Sequence, residues 1–171
     1  QLGVVNATRP ESVGGQQLPL LISAFANAYL SAANVSALGY VGLSSGAARL
    51  IESFGTPEQR RDYMAPIYRG AWTGTMALTE PQAGSGLADL RTIATPAGDG
   101  SYRIKGQKIF ISGGDHELTE NIVHLVLARL PDAPAGVKGI SLFTVPKFHT
   151  DEQGRVGARN DVALAGLIHK C

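Results

Sequence analysis

The sequence has little charge and almost no cysteine, and each shortage excludes a class of protein. Charged residues make up 17% of the 171 residues and the formal net charge is +1. Such a balance gives no basic surface that would indicate a nucleic acid or an anionic membrane as partner. The single cysteine, Cys171, excludes an internal disulfide and favours an intracellular, cytoplasmic location.

Metal-binding and nucleotide-binding motifs are missing as well. The 4 histidines are scattered without zinc spacing, and there is no Walker loop, nucleophile elbow or Rossmann glycine motif. The most apolar stretch, Leu18–Ala33, is too short to span a bilayer and contains Asn27. The sequence therefore predicts no metal site, no Rossmann cofactor site and no membrane span.

The first part of the sequence has helical periodicity. Apolar residues recur every three or four positions from Leu18 to Ala33 and again from Asn34 to Phe54. Thr56–Gln59 has the pattern of a capping box with proline at the first helical position, which predicts another helix that ends before Gly70.

After Ala71 the apolar pattern changes to alternate residues, which is typical of strands. We therefore predict an α+β fold, with part of a helical domain at residues 1–70 and an antiparallel β-barrel or sandwich domain at residues 71–171. A hairpin is expected at Gly98–Gly100. The predicted strands are Thr73–Thr79, Leu90–Pro96, Tyr102–Ile104, Gln107–Ser112, Ile122–Leu130, Ile140–Val145 and Val162–His169.

Two segments of the β part contain residue types suited to binding a ligand. Thr79–Gly86 ends in small residues, so its backbone N–H groups could approach a phosphate, although ordinary surface loops have the same composition. In a strand at Gln107–Ser112, Phe110 and Ser112 would share one face and could meet a flat heteroaromatic ligand. On the pattern alone, a cross-strand aromatic pair and a strand-ending serine are the favoured explanation of the second segment. Glu80 is a possible base, but a lone carboxylate beside a turn is usually structural.

Both segments resemble sequence motifs of the acyl-CoA dehydrogenases. Met76–Ser85 resembles one motif of the family. Ile104–Ser112 resembles a second, in which the family usually has tryptophan and threonine where this chain has Phe110 and Ser112. Gly55–Gln59 is similar to the start of the family's helix that leads into the middle domain. The motifs occur in the family's order, and the resemblance covers about residues 34–171.

One branch of the family is the most similar. Asp115–Phe148 resembles the corresponding segment of the methylmercaptopropionyl-CoA dehydrogenase-like enzymes. The chain departs from the family pattern at Gly86, where aspartate is usual, and at Ile168, where glutamate is common in this branch.

The resemblance implies a bound FAD and names the residues that would contact it. Phe110 would pack on the flavin in place of the tryptophan, and the Ser112 hydroxyl would point toward the reactive ring nitrogen. Gly84 and Ser85 would lie near the pyrophosphate, and Ser85 would also contact the acyl-CoA substrate. The full set of implied cofactor contacts is Met76, Leu78, Thr79, Gly84, Ser85, Phe110, Ile111 and Ser112.

The resemblance also implies an oxidoreductase of fatty acid metabolism that removes an α-proton and a β-hydride from an acyl-CoA. In the family the general base is a glutamate of a C-terminal helical domain, so we assign no catalytic residue here. Because Gln1 is not an initiator and Leu164–Cys171 has the pattern of a strand with nothing after it, we expect a fragment that lacks this domain and is inactive alone. An electron-transfer flavoprotein as acceptor and a homo-oligomer are expected for the full-length protein. The alternatives are a flavin-dependent hydroxylase or oxidase on the same fold and a non-catalytic β-barrel binding module.

Overall fold

The N-terminal part of the protein is helical. The computed structural model describes residues 3–151 and 153–168. A 3₁₀ turn (Glu11–Val13) precedes the long helix α1 (Leu20–Phe54). The chain then continues through α2 (Pro57–Gln59), a π-helical turn (Arg60–Met64) and α3 (Ala65–Tyr68).

Helix α1 is kinked at Asn34, which has non-helical backbone angles (φ −162°, ψ 93°). The Asn34 side-chain Oδ1 accepts a hydrogen bond from the backbone N–H of Ala37 at 2.9 Å. Asn34 therefore caps the second half of the helix, as asparagine does at helix starts. The two predicted helical segments are the two halves of this kinked helix.

The predicted capping box at Thr56 is confirmed. Gln59 N–H donates to Thr56 Oγ1 at 3.2 Å, and Thr56 N–H donates to Gln59 Oε1 at 3.0 Å. Gly70, with φ +73°, follows α3 and ends the helical part in the left-handed conformation that glycine adopts without strain.

The remainder of the described chain is a curled sheet with a small separate hairpin. The five strands of the sheet are β1 (Thr73–Ala77), β2 (Ile93–Pro96), β3 (Tyr102–Lys105), β4 (Ile122–Arg129) and β5 (Ile140–Pro146), and the separate hairpin consists of β6 (Phe148–Thr150) and β7 (Val156–Arg159). The turn predicted at Gly98–Gly100 joins β2 to β3 within the sheet.

The prediction of helices followed by a β-domain is confirmed, but the sheet is mixed rather than antiparallel. Strand β4 runs parallel to β1 and to β2, while β5 pairs antiparallel with β4. The β2–β3 hairpin lies in the crossover from β1 to β4, which makes their parallel pairing possible. Alternating hydrophobicity identifies strands but carries no information on their direction.

Two of the predicted strands do not form within the described residues. Gln107–Ser112 is irregular, and the left-handed φ of +58° at Phe110 interrupts the alternation of side chains within it. Val162–Ile168 is also irregular, because no neighbouring strand among the described residues pairs with it; His169 lies outside the described residues.

The helical and β parts share one hydrophobic core. It contains Ala47 and Ile51 of α1, Ile67 of α3 and Val123 and Leu125 of β4. The Gly74 backbone of β1 lies so close to α1 that an added Cβ would be 2.5 Å from the Cβ of Ala47. The division at residue 70 remains a prediction, since the core extends across it.

By length and composition alone, α1 is apolar enough to cross a membrane, contrary to the expectation for its first segment. Core helices of soluble proteins meet the same criterion, but no residue of the apolar window in α1 is buried, and the buried residues Ser44, Ala47, Ala48 and Ile51 lie outside that window. The first half of the helix instead exposes apolar side chains, among them Leu21, Phe25 and Tyr29.

Candidate functional site

A cleft of about 1910 Å³ lies on one side of the sheet. It is lined by strands β3 and β5, by residues 106–112 and by the extended segment 160–168. Of the eight residues predicted to contact a cofactor, Phe110, Ile111 and Ser112 line this cleft. Met76, Leu78, Thr79, Gly84 and Ser85 do not line it, and they lie along the end of β1 and the loop that follows.

That loop begins with a tight turn. Glu80 N–H donates to Ala83 O at 2.8 Å, and Ala83 N–H donates back to Glu80 O at 3.0 Å. The exposed residues 84–86 follow the turn. Within the described part of the chain, no acceptor pairs with the backbone N–H groups of Gly84, Ser85 and Gly86. The loop thus presents three free donors, which suits an anionic group such as a phosphate.

The side chain of Glu80 is buried beneath this loop and is only 3% exposed. Its Oε1 accepts from Thr92 N–H at 3.0 Å, from Thr92 Oγ1 at 2.5 Å and from Lys108 Nζ at 2.9 Å. Its Oε2 accepts from Arg91 N–H at 2.7 Å and from Gln82 Nε2 at 2.6 Å. The carboxylate is therefore saturated with hydrogen bonds.

Glu80 is ionised and unsuited to accepting a proton. Burial raises the pKa of Glu80, but the hydrogen bonds from Thr92, Arg91 and Lys108 outweigh burial and lower the pKa from 4.5 to about 2. A general base needs a pKa near the working pH and a free oxygen in reach of substrate. The structural interpretation of Glu80 is therefore the correct one.

Lys108 and Ile109 join the two predicted ligand-binding segments. Ile109 N–H donates to Thr79 O at 2.9 Å, and Lys108 Nζ donates to Leu78 O at 3.0 Å as well as to Glu80. These contacts connect residues about 30 positions apart in the sequence. Neither Lys108 nor Thr92 was singled out from the sequence, because their spacing carries no signal.

Phe110 and Ser112 reach the same cleft without the strand that was predicted to orient them. The Phe110 side chain is 60% exposed. Among the described residues, the backbone N–H groups of residues 110–112 and the Ser112 hydroxyl have no hydrogen-bond partner. An exposed aromatic ring beside free donors suits a flat heteroaromatic ligand with acceptor atoms.

A charged cluster borders the cleft on its other side. Asp115 pairs with Lys147 at 2.6 Å and with Arg159 at 3.2 Å, and Lys147 Nζ also donates to His116 O at 2.8 Å. The pKa of Asp115 is lowered, mainly by its hydrogen bond with Lys147. Every charged group of the cluster has a partner, so we interpret it as a structural link between the loop at Asp115 and the β6–β7 hairpin.

His124 of strand β4 is a buried titratable group that lines the cleft. Its Nδ1 lies 2.8 Å from Thr75 Oγ1 on the adjacent strand. Burial lowers the pKa of His124 to about 4, so it is neutral at physiological pH. In the described part of the chain, no group of three His, Cys, Asp or Glu residues could hold a metal ion.

Two family profiles match nearly the whole chain. The acyl-CoA dehydrogenase N-terminal domain matches residues 1–71, and the acyl-CoA dehydrogenase middle domain matches residues 75–169. The chain belongs to the acyl-CoA dehydrogenase family. This result confirms the family that the two motifs indicated.

Individual members of the acyl-CoA dehydrogenase family agree with this assignment. The 3-methylmercaptopropionyl-CoA dehydrogenase of Ruegeria pomeroyi is 44% identical over 169 residues, which are 99% of this chain and 29% of that enzyme. The chain thus spans less than a third of the length of this relative, and the branch is the one that Asp115–Phe148 indicated.

Solved structures superimpose on this chain. A glutaryl-CoA dehydrogenase from Mycobacterium smegmatis in complex with FADH2 superimposes with a TM-score of 0.71 at 25% identity, over 88% of this chain and 37% of that one. The prolyl acyl carrier protein oxidase AnaB gives a TM-score of 0.63 at 29% identity, over 85% of this chain and 38% of that one.

Proposed function

We propose that this chain carries the flavin-contacting part of an FAD-dependent acyl-CoA dehydrogenase. Family membership over nearly the whole chain supports the reaction class. The observation that carries the proposal is the hydrogen bond from Ile109 N–H to Thr79 O, because it holds the family's two motifs side by side. One bound molecule could then contact both segments.

The residues of the two segments have the chemistry that FAD requires. The free N–H groups of Gly84 and Ser85 would bind its pyrophosphate, and Ser85 would also meet the acyl-CoA. The exposed Phe110 ring would pack against the isoalloxazine, and the Ser112 hydroxyl would donate to its reactive nitrogen. Bound FAD would supply the acceptor for the hydride that leaves the β-carbon of the thioester. The contacts at Met76, Leu78, Thr79 and Ile111 complete the proposed set.

The proton acceptor of the reaction is proposed to lie outside this chain. Glu80 holds no proton and has no free oxygen, as its five hydrogen bonds show. We therefore assign the α-proton to a carboxylate of a C-terminal helical domain, as in the family. The isolated chain should then be inactive, and the activity belongs to the full-length protein.

The partners follow from the same proposal. The substrate is an acyl-CoA, the electron acceptor is an electron-transfer flavoprotein, and the full-length protein is a cytoplasmic homo-oligomer of fatty acid metabolism. No nucleic-acid partner is proposed, because the formal net charge is +1.

The test is anaerobic mixing of the purified full-length protein with a panel of acyl-CoAs. Loss of flavin absorbance with one or more thioesters is the expected result, and the most reactive member identifies the substrate. A protein that purifies without flavin and does not bind added FAD would contradict the proposal and favour a non-catalytic β-barrel module.

An oxidase is the second candidate, because the oxidase AnaB has the same fold at 29% identity. The two activities differ in how the reduced cofactor is reoxidised. A dehydrogenase should stay reduced for minutes in air and recover with an electron-transfer protein. Reoxidation by oxygen within the time of one turnover would favour the oxidase.

A further inference from the structure

The Glu80 carboxylate is the point where three separate segments of the chain meet. It accepts hydrogen bonds from Gln82 in its own loop, from Arg91 and Thr92 before β2, and from Lys108 after β3. The Glu80 and Lys108 side chains are 3% and 11% exposed. Solvent therefore screens this ion pair little.

The segment that contains Phe110 and Ser112 has few other attachments to the loop. It forms no strand, and the backbone hydrogen bond from Ile109 to Thr79 is the one that connects it to this loop within the described residues. Gly106 packs so closely on Thr92 that an added Cβ would be 2.2 Å from Thr92 Oγ1. The Lys108 side chain thus supplies most of the polar contact between the two segments.

We infer that the Glu80–Lys108 ion pair positions Phe110 and Ser112 against the Leu78–Thr79 backbone, and thereby sets the flavin-contacting surface. The inference rests on the proposed function. Glu80 and Lys108 are positioning residues, since their charged groups pair with each other and the Lys108 ammonium also donates to the Leu78 carbonyl.

Charge and geometry make separate contributions, which substitutions can distinguish. Lys108→Met leaves the Glu80 carboxylate buried without its cation. This variant loses both the charge balance and the link, meaning the hydrogen bonds from Lys108 Nζ to Glu80 and to the Leu78 carbonyl. The double variant Glu80→Gln/Lys108→Met removes both charges and keeps the site neutral, but it still lacks the link. Lys108→Arg keeps a cation that can donate to Glu80, and it should restore the link.

The experiment measures two properties of the full-length protein. The first is amide hydrogen exchange at Ile109, which needs no flavin. The second is the dissociation constant for FAD, from flavin fluorescence quenching of the apoprotein. Arg9→Met is the matched control, because the Arg9–Glu52 ion pair is also partly buried but neither residue lines the cleft.

We expect Ile109 exchange and the FAD dissociation constant to rise at least about tenfold in both Met-containing variants, the effect of losing one charge-assisted hydrogen bond. Lys108→Arg should return both values to within about threefold of the parent. Arg9→Met should lower thermal stability and change neither value.

Three results would overturn the inference. Unchanged Ile109 exchange in the folded double variant would show that the ion pair does not hold the segment. Unchanged FAD affinity in that variant, while the parent binds FAD and is reduced by acyl-CoA, would refute the positioning role and leave the proposed function intact. A parent that binds no FAD would instead refute the proposed function, and the positioning role with it.

Discussion

The contact between helix α1 and strand β1 offers a sharp test of how the helical and β parts are packed. At Gly74 an added Cβ would lie 2.5 Å from the Cβ of Ala47 and 3.6 Å from Cδ1 of Ile67. Carbon atoms in van der Waals contact are about 3.5–4.0 Å apart, so the strand and the helix would have to separate by about 1 Å. The hydrogen bond from Gly74 N–H to Ser44 Oγ, 3.1 Å long, would be stretched at the same time.

Overpacking of this kind costs about 1–3 kcal/mol of unfolding free energy. A loss of about 2 kcal/mol lowers the melting temperature of a protein of this size by roughly 4–8 °C. Gly74→Ala should therefore melt several degrees below the parent in thermal denaturation followed by circular dichroism.

Two further variants separate the clash from a general effect of alanine. Gly46 lies in α1, and no atom is within 4 Å of a Cβ added there. Gly46→Ala should therefore raise the free energy of unfolding by about 0.5–1 kcal/mol. Ala47→Gly removes the opposing methyl group and should recover part of the loss in Gly74→Ala. Two results would contradict the close approach of Gly74 to Ala47. One is a melting temperature of Gly74→Ala within about 1 °C of the parent, and the other is additive effects of Gly74→Ala and Ala47→Gly in the double variant.

Three other predictions concern Ser112 in the cleft, His124 in the sheet and the helix cap at Thr56. Ser112→Ala should slow flavin reduction by acyl-CoA at least about tenfold while changing substrate binding little. The reason is that the hydrogen bond from the Ser112 hydroxyl to the reactive flavin nitrogen strengthens as negative charge develops on the ring. Equal rates in stopped-flow measurements would exclude Ser112 from the site. Because burial lowers the pKa of His124 from 6.5 to about 4, the unfolded chain takes up the proton first and stability should fall as pH drops from 6.5 to 4. Urea titrations of His124→Asn should lack that part of the pH dependence, and an identical pH profile would contradict the burial of a neutral imidazole. Thr56→Ala should cost about 1 kcal/mol in the same titrations, whereas Thr56→Ser should keep the cap.

Features that depend on neighbours in the chain were predictable from the sequence. The capping box of Thr56 and Gln59 needs only residues three positions apart. The turn at Gly98–Gly100 needs two residues with positive φ, which both glycines have. Such contacts form within one short segment, so its composition is sufficient to indicate them.

The site residues were predictable only as motifs. Phe110 and Ser112 do line one cleft, but the strand that was expected to align them is absent. Their backbone is instead held by hydrogen bonds from Ile109 to Thr79 and from Lys108 to Leu78, which are about 30 positions earlier in the sequence. Alternation in the sequence could not report this, because the left-handed φ of Phe110 arises from its surroundings.

By itself, the sequence determined the family, the order of helices before strands and the local caps and turns. The family followed from the resemblance of two sequence motifs, whereas the order of elements, the caps and the turns followed from residue types at short, regular spacing. Only the tertiary structure decided the parallel pairing of β4 and the saturation of the Glu80 carboxylate by Thr92 and Lys108. Those contacts join residues 12 to 49 positions apart, and their formation depends on how the whole chain packs rather than on any local pattern.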